Sequence, residues 1–316
     1  SNSFYQGLNE RAQSLLVELE SASSFLSPEI LSIDPDLLED WRTQPALKTY
    51  AHALHDLTRL RAHTLTAAEE RLLAMAGEME AAPRNIYSML DYSDIRFPST
   101  EKGEITHGNF VDEYMMSPDR ALRQDAFQKF YETYASYRST YGAMLTASVK
   151  ADLFSARARN FPSCAEAALS GDNVPLAVYD ALVEAIHQRL PVLQKYMELR
   201  RRMLGVEELH MYDLYAPLSG AEFPLSYEEA CELVVKGLAP LGEEYGAVLR
   251  RAFTEGWMDV YENRGKTTGA YSWGVHGVHP FVLLNYSENL DSAFTIAHEL
   301  GHPMPPYYSS AAQDYI

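Results

Sequence analysis

Residues 293–308 read AFTIAHELGHPMPPYY, and an HExxH pattern runs from His298 to His302. The apolar residues of this segment recur at the spacing of one helix face: Leu290, Ala293, Phe294, Ala297 and Gly301. This periodicity predicts an α-helix, whose N-cap would be Asn289 or Ser287. On such a helix, two histidines four residues apart project to the same side, one turn apart.

The two histidines and the glutamate between them have the spacing of a zinc centre. Two imidazole nitrogens one turn apart can share one Zn²⁺ at bond lengths of about 2.0–2.1 Å. Glu299 could then take a proton from a water molecule whose pKa the zinc lowers to about 7. We therefore predict one Zn²⁺ per chain, with His298 and His302 as ligands and Glu299 as the catalytic base. Asp291 and Thr295 share the histidine face, either orienting an imidazole or serving as plain surface residues.

A zinc site with two histidines needs a third protein ligand. The metzincin pattern is excluded, because Pro305 and Tyr308 stand where it requires glycine and histidine. Asp314 is the one acidic residue after His302. Either Asp314 is the third ligand, or that ligand lies beyond this sequence.

Three prolines follow the second histidine, at positions 303, 305 and 306. Pro303 lacks a backbone N–H and would crowd the carbonyl of Glu299, so we expect the helix to end at about His302. A residue before proline is also biased away from helical dihedrals. We therefore expect the second ligand to lie in the last turn, with weaker or misaligned metal binding.

The composition excludes two classes of partner. The sequence has 316 residues and a net charge of −18, from 44 acidic and 26 basic residues. Such a surface repels phosphate backbones, so we expect no nucleic acid. No run of about 18 apolar residues is present and no signal peptide is visible, so we expect no membrane span. Cys164 and Cys231 form no CxxC pattern, which favours a reducing cytoplasm.

Most of the sequence has helical patterns, so we predict a mainly α fold. N-cap signals indicate four helix starts: Ser27-Pro28, Asp34-Pro35, Thr66 and Ser117-Pro118. Amphipathic spacing predicts long helices over residues 8–26, 175–204 and 226–253. The helix after Ser117 carries an aromatic stripe, which is more typical of a helix–helix core than of a ligand platform.

Strand signals are few. Residues 94–112 have two glycine turns between short apolar pieces, which predicts a small hairpin. Trp257–Tyr261 and His279–Tyr286 have extended patterns, with glycines at 265, 269, 274 and 277 between them. We place a boundary near Phe97-Pro98. It separates an N-terminal helical lobe, 1–98, from a second domain, 99–316.

The last third of the chain resembles a known family. Residues 259–274 read DVYENRGKTTGAYSWG, residues 279–286 read HPFVLLNY, and residues 297–302 read AHELGH. Together these motifs resemble oligoendopeptidase F, in the thimet oligopeptidase group of zinc metallopeptidases. The resemblance extends through LHMYDLYAPL at 209–218 and Arg96-Phe97-Pro98, and so covers nearly the whole chain.

The resemblance implies a multi-helix peptidase fold with a deep cleft between lobes and a small β-sheet beside the HExxH helix. It implies that the Gly269–Gly277 loop and the His279–Tyr286 strand line the cleft, where an exposed strand edge would bind the backbone of an oligopeptide. Four residues are candidates for substrate contact: Gly269, Tyr271, His276 and His279. Each is also open to an ordinary packing or loop role.

The resemblance also implies a third zinc ligand, a glutamate on a later helix that this sequence does not include. Residues 99–316 would then be an incomplete catalytic domain. Our first hypothesis is a zinc-dependent endopeptidase that hydrolyses short peptides. The alternative is a catalytically incomplete fragment that binds peptides or has only a structural role. A third hypothesis treats residues 1–96 as a partner-binding helical module. The sequence does not indicate an oligomeric state.

Overall fold

A computed structural model of the protein describes residues 3–219, 223–263 and 266–313. The described residues are mostly helical, as predicted, and include one three-stranded sheet. The α-helices are α1 (Ser3–Ser23), α2 (Leu26–Leu31), α3 (Pro35–Thr43), α4 (Ala51–Arg59), α5 (Ala67–Met89), α6 (Arg120–Ser136), α7 (Arg138–Ala158), α8 (Cys164–Ser170), α9 (Leu176–Leu204), α10 (Tyr227–Gly237), α11 (Glu243–Thr254), α12 (Leu290–Gly301) and α13 (Met304–Ala312). None of the described helices is both long enough and apolar enough to cross a bilayer.

Several helix ends follow their local sequence signals. The side chain of Asp34 caps α3, and Thr66 forms a capping box with Glu69 at the start of α5. The predicted N-cap at Ser27 is wrong, because α2 begins at Leu26 with Phe25 as its N-cap, two residues earlier than predicted. The long helix predicted over 226–253 is also wrong. A short 3₁₀ turn that contains a proline, followed by Gly242 at a φ of +99°, separates α10 from α11.

The described residues form two compact units. One contains residues 3–95 and 133–202, and the other contains residues 96–132 and 203–313. Each unit combines segments that are distant in sequence. The division into domains 1–98 and 99–316 and the deep cleft between lobes remain predictions.

Helix α5 is the centre of the first unit, where it packs against both α1 and α7. Glu70 in α5 accepts two hydrogen bonds from Arg159, each of 2.8 Å. After α5 the chain makes a π-helical turn over Leu90–Asp94. In this turn the buried carboxylate of Asp91 accepts hydrogen bonds from the hydroxyls of Tyr134 and Tyr141, at 3.0 and 2.8 Å. Side-chain contacts therefore stabilise the departure from α-helical geometry.

The second unit contains no hairpin at its start, so the hairpin predicted over residues 94–112 is wrong. Thr100 and Gly103 form a turn, but side chains occupy the backbone groups that a second strand would need. The carbonyl of Glu104 accepts from Asn109 Nδ2 and from the Tyr114 hydroxyl, at 3.0 and 3.1 Å. A π-helical turn, Phe110–Met115, follows in place of a strand.

A buried ion-pair cluster lies in the second unit. Asp213 is fully buried, and its carboxylate accepts hydrogen bonds from Arg120 and Arg123 at 2.8–3.1 Å. Burial alone would raise the pKa of Asp213. The two guanidinium groups and the backbone N–H of His210 outweigh burial and lower that pKa to about 2.

The sheet consists of β1 (Met258–Asp259), β2 (Tyr271–Trp273) and β3 (Phe281–Leu283) in the order β1-β3-β2. Strand β1 runs parallel to β3, and β2 runs antiparallel to it. The strand predicted over His279–Tyr286 is thus the central one, with both edges paired. The free edge beside the HExxH helix belongs to β2, which lies within the Gly269–Gly277 segment.

Helix α12 packs on this sheet through a different face from the predicted one. Ala293, Ile296 and Leu300 are buried in the same core as Val282 and Leu284. Two members of the predicted apolar face, Leu290 and Phe294, are 40% and 68% exposed. The core contacts determine which side of α12 turns away from the sheet, and so they orient its polar side chains.

Candidate metal centre

The two ends of the HExxH helix have different roles in the site. At its start, the Oδ1 atom of Asn289 accepts a hydrogen bond from the backbone N–H of Ser292 at 2.8 Å. Asn289 is therefore the N-cap, and it is one of the two residues predicted for this position. At its other end, His298 and His302 are exposed, and their Nε2 atoms lie 3.1 Å apart. The packed face of α12 fixes the helix, while both imidazoles remain accessible to a ligand.

The distance between the two Nε2 atoms can be compared with zinc geometry. Two nitrogens that share one tetrahedral Zn²⁺, at about 2.0–2.1 Å each, lie roughly 3.3 Å apart. The two histidines of α12 are therefore placed to bind one divalent cation together. Their present contact is a hydrogen bond between the rings, which a shared cation would replace.

Glu299 has a different environment from the histidines beside it. It is only 7% exposed, and no described residue hydrogen-bonds to its carboxylate. It lines a cavity of about 390 Å³ together with His302. The other lining residues come from the β2 segment and from the segment after α12: Ala270, Tyr271, Ser272, Gly274, Pro303 and Pro306. A carboxylate that has no protein partner and faces a cavity can accept a proton from a water molecule held there.

The prolines after His302 change the chain less than expected. Helix α12 ends at Gly301 with His302 as its C-cap, close to the predicted end. The predicted bias away from helical dihedrals is wrong, because His302 has φ −64° and ψ −44°. Pro303 also has helical dihedrals and is the N-cap of α13, where its carbonyl accepts the N–H of Tyr307 at 3.0 Å. The expectation of weaker or misaligned metal binding remains a prediction.

Gly274 and Pro306 are in close contact in one wall of the cavity. A Cβ atom added at Gly274 would lie 2.8 Å from both Cβ and Cγ of Pro306. Real Cβ atoms do not come so close to other heavy atoms. Glycine at 274 is therefore the residue that lets the segment after β2 touch the first turn of α13.

The structure places the four candidates for substrate contact in different surroundings. Tyr271 lines the cavity that contains Glu299, and Gly269 lines a neighbouring cavity of about 280 Å³. His276 Nε2 lies 3.1 Å from the carbonyl oxygen of Gln313. His279 stacks on Trp257, with ring centroids 5.6 Å apart. Only Tyr271 therefore shares a cavity with Glu299 and His302.

Asp291 and Thr295 line the neighbouring cavity, together with Gly269. The hydroxyl of Thr295 donates to the backbone carbonyl of Asp291 at 3.0 Å. Ala270, Ser272 and Gly274 lie within the Gly269–Gly277 loop that the resemblance places at the cleft, although none of them was singled out. Pro303 and Pro306 were not predicted to line a cavity. Alternation along β2 could have indicated Ser272 and Gly274, which would face the same side of a strand.

A third metal ligand is missing from the described part of the chain. There, no aspartate, glutamate, cysteine or further histidine places a ligand atom within 4.8 Å of both imidazole nitrogens. Asp314, the acidic residue near the end of the sequence, lies outside the described residues. Cys231 offers no nucleophile either, since burial raises the pKa of its thiol to about 11.

An HExxH helix with two accessible imidazoles, a buried glutamate and a neighbouring strand edge defines the metallopeptidase class of enzymes. Comparison with known proteins gives the family. The chain belongs to peptidase family M3, which it matches over residues 113–316, while residues 29–97 match the family described as Oligopeptidase F. The predicted resemblance to oligoendopeptidase F is confirmed.

Three relatives illustrate the extent of the similarity. The chain is 44% identical to Oligopeptidase PepF of Bacillus subtilis, over 99% of this chain and 48% of that protein. The crystal structure of oligoendopeptidase-F from Enterococcus faecium is 38% identical, with a TM-score of 0.69 over 81% of this chain and 49% of that one. A peptidase structure from Chlamydophila abortus has 35% identity and a TM-score of 0.72, over 97% and 52% of the two chains. The chain spans about half the length of the relatives it matches.

Proposed function

We propose that this chain carries the metal-binding helix and part of the substrate site of a zinc-dependent endopeptidase that hydrolyses short peptides. One observation carries the proposal. The carboxylate of Glu299, to which no described residue donates a hydrogen bond, lines a cavity with His302, while the Nε2 atoms of His298 and His302 lie 3.1 Å apart. Membership of peptidase family M3 supports the same chemistry.

The residues would divide the work as follows. His298 and His302 would hold the zinc ion, which when bound supplies a polarised carbonyl and a water molecule with a pKa of about 7. Glu299 would take the proton of the attacking water and pass it to the amine that leaves. The burial of Glu299 favours this role, because a carboxylate shielded from bulk water has few competing partners.

The free edge of β2 is the proposed binding surface for the peptide backbone. Strand β2 pairs only with β3, so the other edge of Tyr271–Trp273 has unpaired backbone groups within the described sheet. An extended peptide can add to such an edge through main-chain hydrogen bonds, which do not depend on its side-chain sequence. This arrangement suits broad specificity for oligopeptides. The relatives carry the names oligopeptidase and oligoendopeptidase.

A second candidate function rests on the missing ligand. Two histidines without a described third ligand suit a catalytically incomplete unit that binds peptides but does not cleave them. The test is hydrolysis of a quenched fluorescent peptide, with zinc content measured on the same protein. We expect stoichiometric zinc, and we expect Glu299→Gln to retain zinc while losing hydrolysis by roughly 10²–10⁴-fold.

Glu228→Gln is the matched control, because Glu228 is an exposed glutamate on α10, away from the cavity. This variant should hydrolyse the peptide like the wild type. A chain that holds no zinc, and that binds the peptide with the same affinity whether or not Glu299 is present, would support the second candidate instead.

For localisation we propose the cytoplasm. Both cysteines are free thiols, and one of them is buried, which fits a reducing compartment. Fractionation of cells that produce the whole protein, with antibody detection, is the measurement. Recovery in an extracellular fraction would contradict the proposal.

A further inference from the structure

A second cluster of metal-ligating side chains lies on helix α4. His52, His55 and Asp56 occupy positions i, i+3 and i+4, which share one helix face. His52 Nε2 lies 3.6 Å from Asp56 Oδ2, and His55 Nδ1 lies 3.6 Å from Asp56 Oδ1. Each residue offers one ligand atom, and these three atoms all lie within 4.8 Å of one another. In the part of the chain that the structure describes, no other three such side chains come this close.

The distances in this cluster are near those of a metal site. Ligand atoms about 2.0–2.2 Å from one tetrahedral ion lie roughly 3.4 Å apart. Each imidazole lies 3.6 Å from a different oxygen of Asp56, and one atom from each residue lies within 4.8 Å of the others, so side-chain rotations are needed to bring the three atoms onto one ion. The side chains of His52 and His55 are 87% and 53% exposed, so their rings can rotate without disturbing a core. Solvent can occupy the remaining coordination positions.

The carboxylate of Asp56 in this cluster is oriented by Arg59. Arg59 Nε lies 3.2 Å from Asp56 Oδ1, and Arg59 Nη1 donates to the carbonyl of Ser170 at 2.5 Å. This anchored guanidinium fixes the orientation of the Asp56 carboxylate, while Oδ2 remains turned towards His52. The positive charge of Arg59 also repels a cation bound at this cluster. Metal binding here therefore depends on coordination by the two imidazoles and not on charge alone.

We propose that His52, His55 and Asp56 form a second metal site, which binds a borderline divalent cation such as Zn²⁺ or Ni²⁺. Two nitrogens and one oxygen are the ligand set that such ions prefer, whereas Mg²⁺ prefers oxygen alone. The proposal does not depend on the proposed peptidase activity. A chain with both histidine sites would bind more than one zinc ion when zinc is in excess.

The test uses the whole chain with His298→Ala and His302→Ala, so that the histidine pair of α12 cannot contribute. This double variant is titrated with Ni²⁺ and with Zn²⁺ by calorimetry at neutral pH, and its fold is checked by circular dichroism. We expect one equivalent of bound metal. Adding His52→Ala and His55→Ala should weaken the affinity by roughly 100-fold or more, and Asp56→Asn alone by roughly tenfold.

The matched control is His187→Ala in the same background, because His187 is an exposed histidine on α9 outside any described cluster. This variant should keep the bound equivalent, and excess Mg²⁺ should not displace the metal. Equal affinity with and without His52 and His55, or no binding at all by the α12 double variant, would overturn the proposal. Neither outcome bears on peptide hydrolysis.

Discussion

Helices α12 and α4 both carry a pair of histidines on one face, but their surroundings differ. On α12, the pair stands above a packed face on which Ile296 and Leu300 are fully buried. On α4, no residue is buried, and His52 and His55 are open to solvent. The sequence spacing alone therefore brings two imidazoles together on either helix. The packing of each helix determines which other groups lie beside them.

On α12, packing places a buried carboxylate beside a cavity. Glu299 is buried on the helix side that faces the β2 segment, where substrate atoms and a water molecule can be held next to it. Asp56 on α4 is already paired with Arg59 and faces solvent. We infer that α12 can support chemistry, whereas α4 can support only binding.

The largest expected effect separates these two roles. His302→Ala should lower kcat/KM for a quenched fluorescent peptide by about 10³-fold or more, because the proposed zinc ligand and the proposed base would act as one unit. The same variant should also lose zinc from the α12 pair. His187→Ala, an exposed histidine outside both pairs, is the control and should leave kcat/KM unchanged. Loss of hydrolysis in both variants would show that the assay reports folding and not the site.

The next effect compares two arginine-paired carboxylates. Asp213→Asn should destabilise the second unit by about 3–5 kcal/mol, because it leaves the buried Arg123 without its anionic partner. Asp56→Asn should cost only about 0–1 kcal/mol, since the Asp56–Arg59 pair is partly exposed. Urea unfolding followed by near-ultraviolet circular dichroism measures both. Equal costs would contradict the contrast between packed and exposed regions.

The Asp213 contribution should also depend on pH. Its folded pKa of about 2 lies below the unfolded value of about 3.9, so the stabilisation is complete above the unfolded pKa. As pH falls through about 4 towards 2, Asp213 takes up a proton and the contribution is lost. The stability difference between the wild type and Asp213→Asn should therefore shrink over this range. A difference that stays constant down to pH 2 would contradict this assignment.

A smaller effect tests the packed face of α12 directly. Leu300→Ala should destabilise the protein by about 2–5 kcal/mol, because Leu300 is fully buried under the histidine pair. Leu54→Ala on α4 removes a half-buried side chain and should cost clearly less. Denaturant midpoints at equal slope give both values. If Leu54 proved the costlier position, the view of α4 as an open helix would be wrong.

The smallest effect concerns the cavity wall. Gly274→Ala should cost about 1–3 kcal/mol, because its Cβ would overlap the ring of Pro306. Combining it with Pro306→Gly should recover much of that loss, since both overlapping ring atoms are then absent. A double-mutant cycle of thermal stability measures the coupling. Additive losses would mean that the two residues do not press on each other.

The HExxH helix was the part of the fold that the sequence predicted best. Its N-cap at Asn289 and its end near His302 follow from local chemistry, which depends on residues only a few positions apart. The prediction of its buried face was wrong, because the apolar residues of this segment fit two overlapping faces. Contacts with Val282 and Leu284 of the sheet decide between them, and no local pattern contains that information.

The same reason limits prediction of the site. The spacing of His298, Glu299 and His302 indicated a metal-binding group, but not the cavity around it. That cavity requires β2 to lie at the sheet edge, which follows from the parallel pairing of β1 with β3 across more than twenty residues. The cluster on α4 was not predicted, because two histidines and an aspartate at i, i+3 and i+4 form no established metal-binding motif.

The contact between Gly274 and Pro306 limits the order in which this protein can change. A side chain at 274 strains this contact while the proline ring stands at 306, so a change at 274 is less destabilising once the ring has been replaced. The reverse order passes through the strained Gly274→Ala form, for which we expect a loss of about 1–3 kcal/mol. Two positions more than thirty residues apart thus constrain each other's substitutions, beside the buried carboxylate of Glu299.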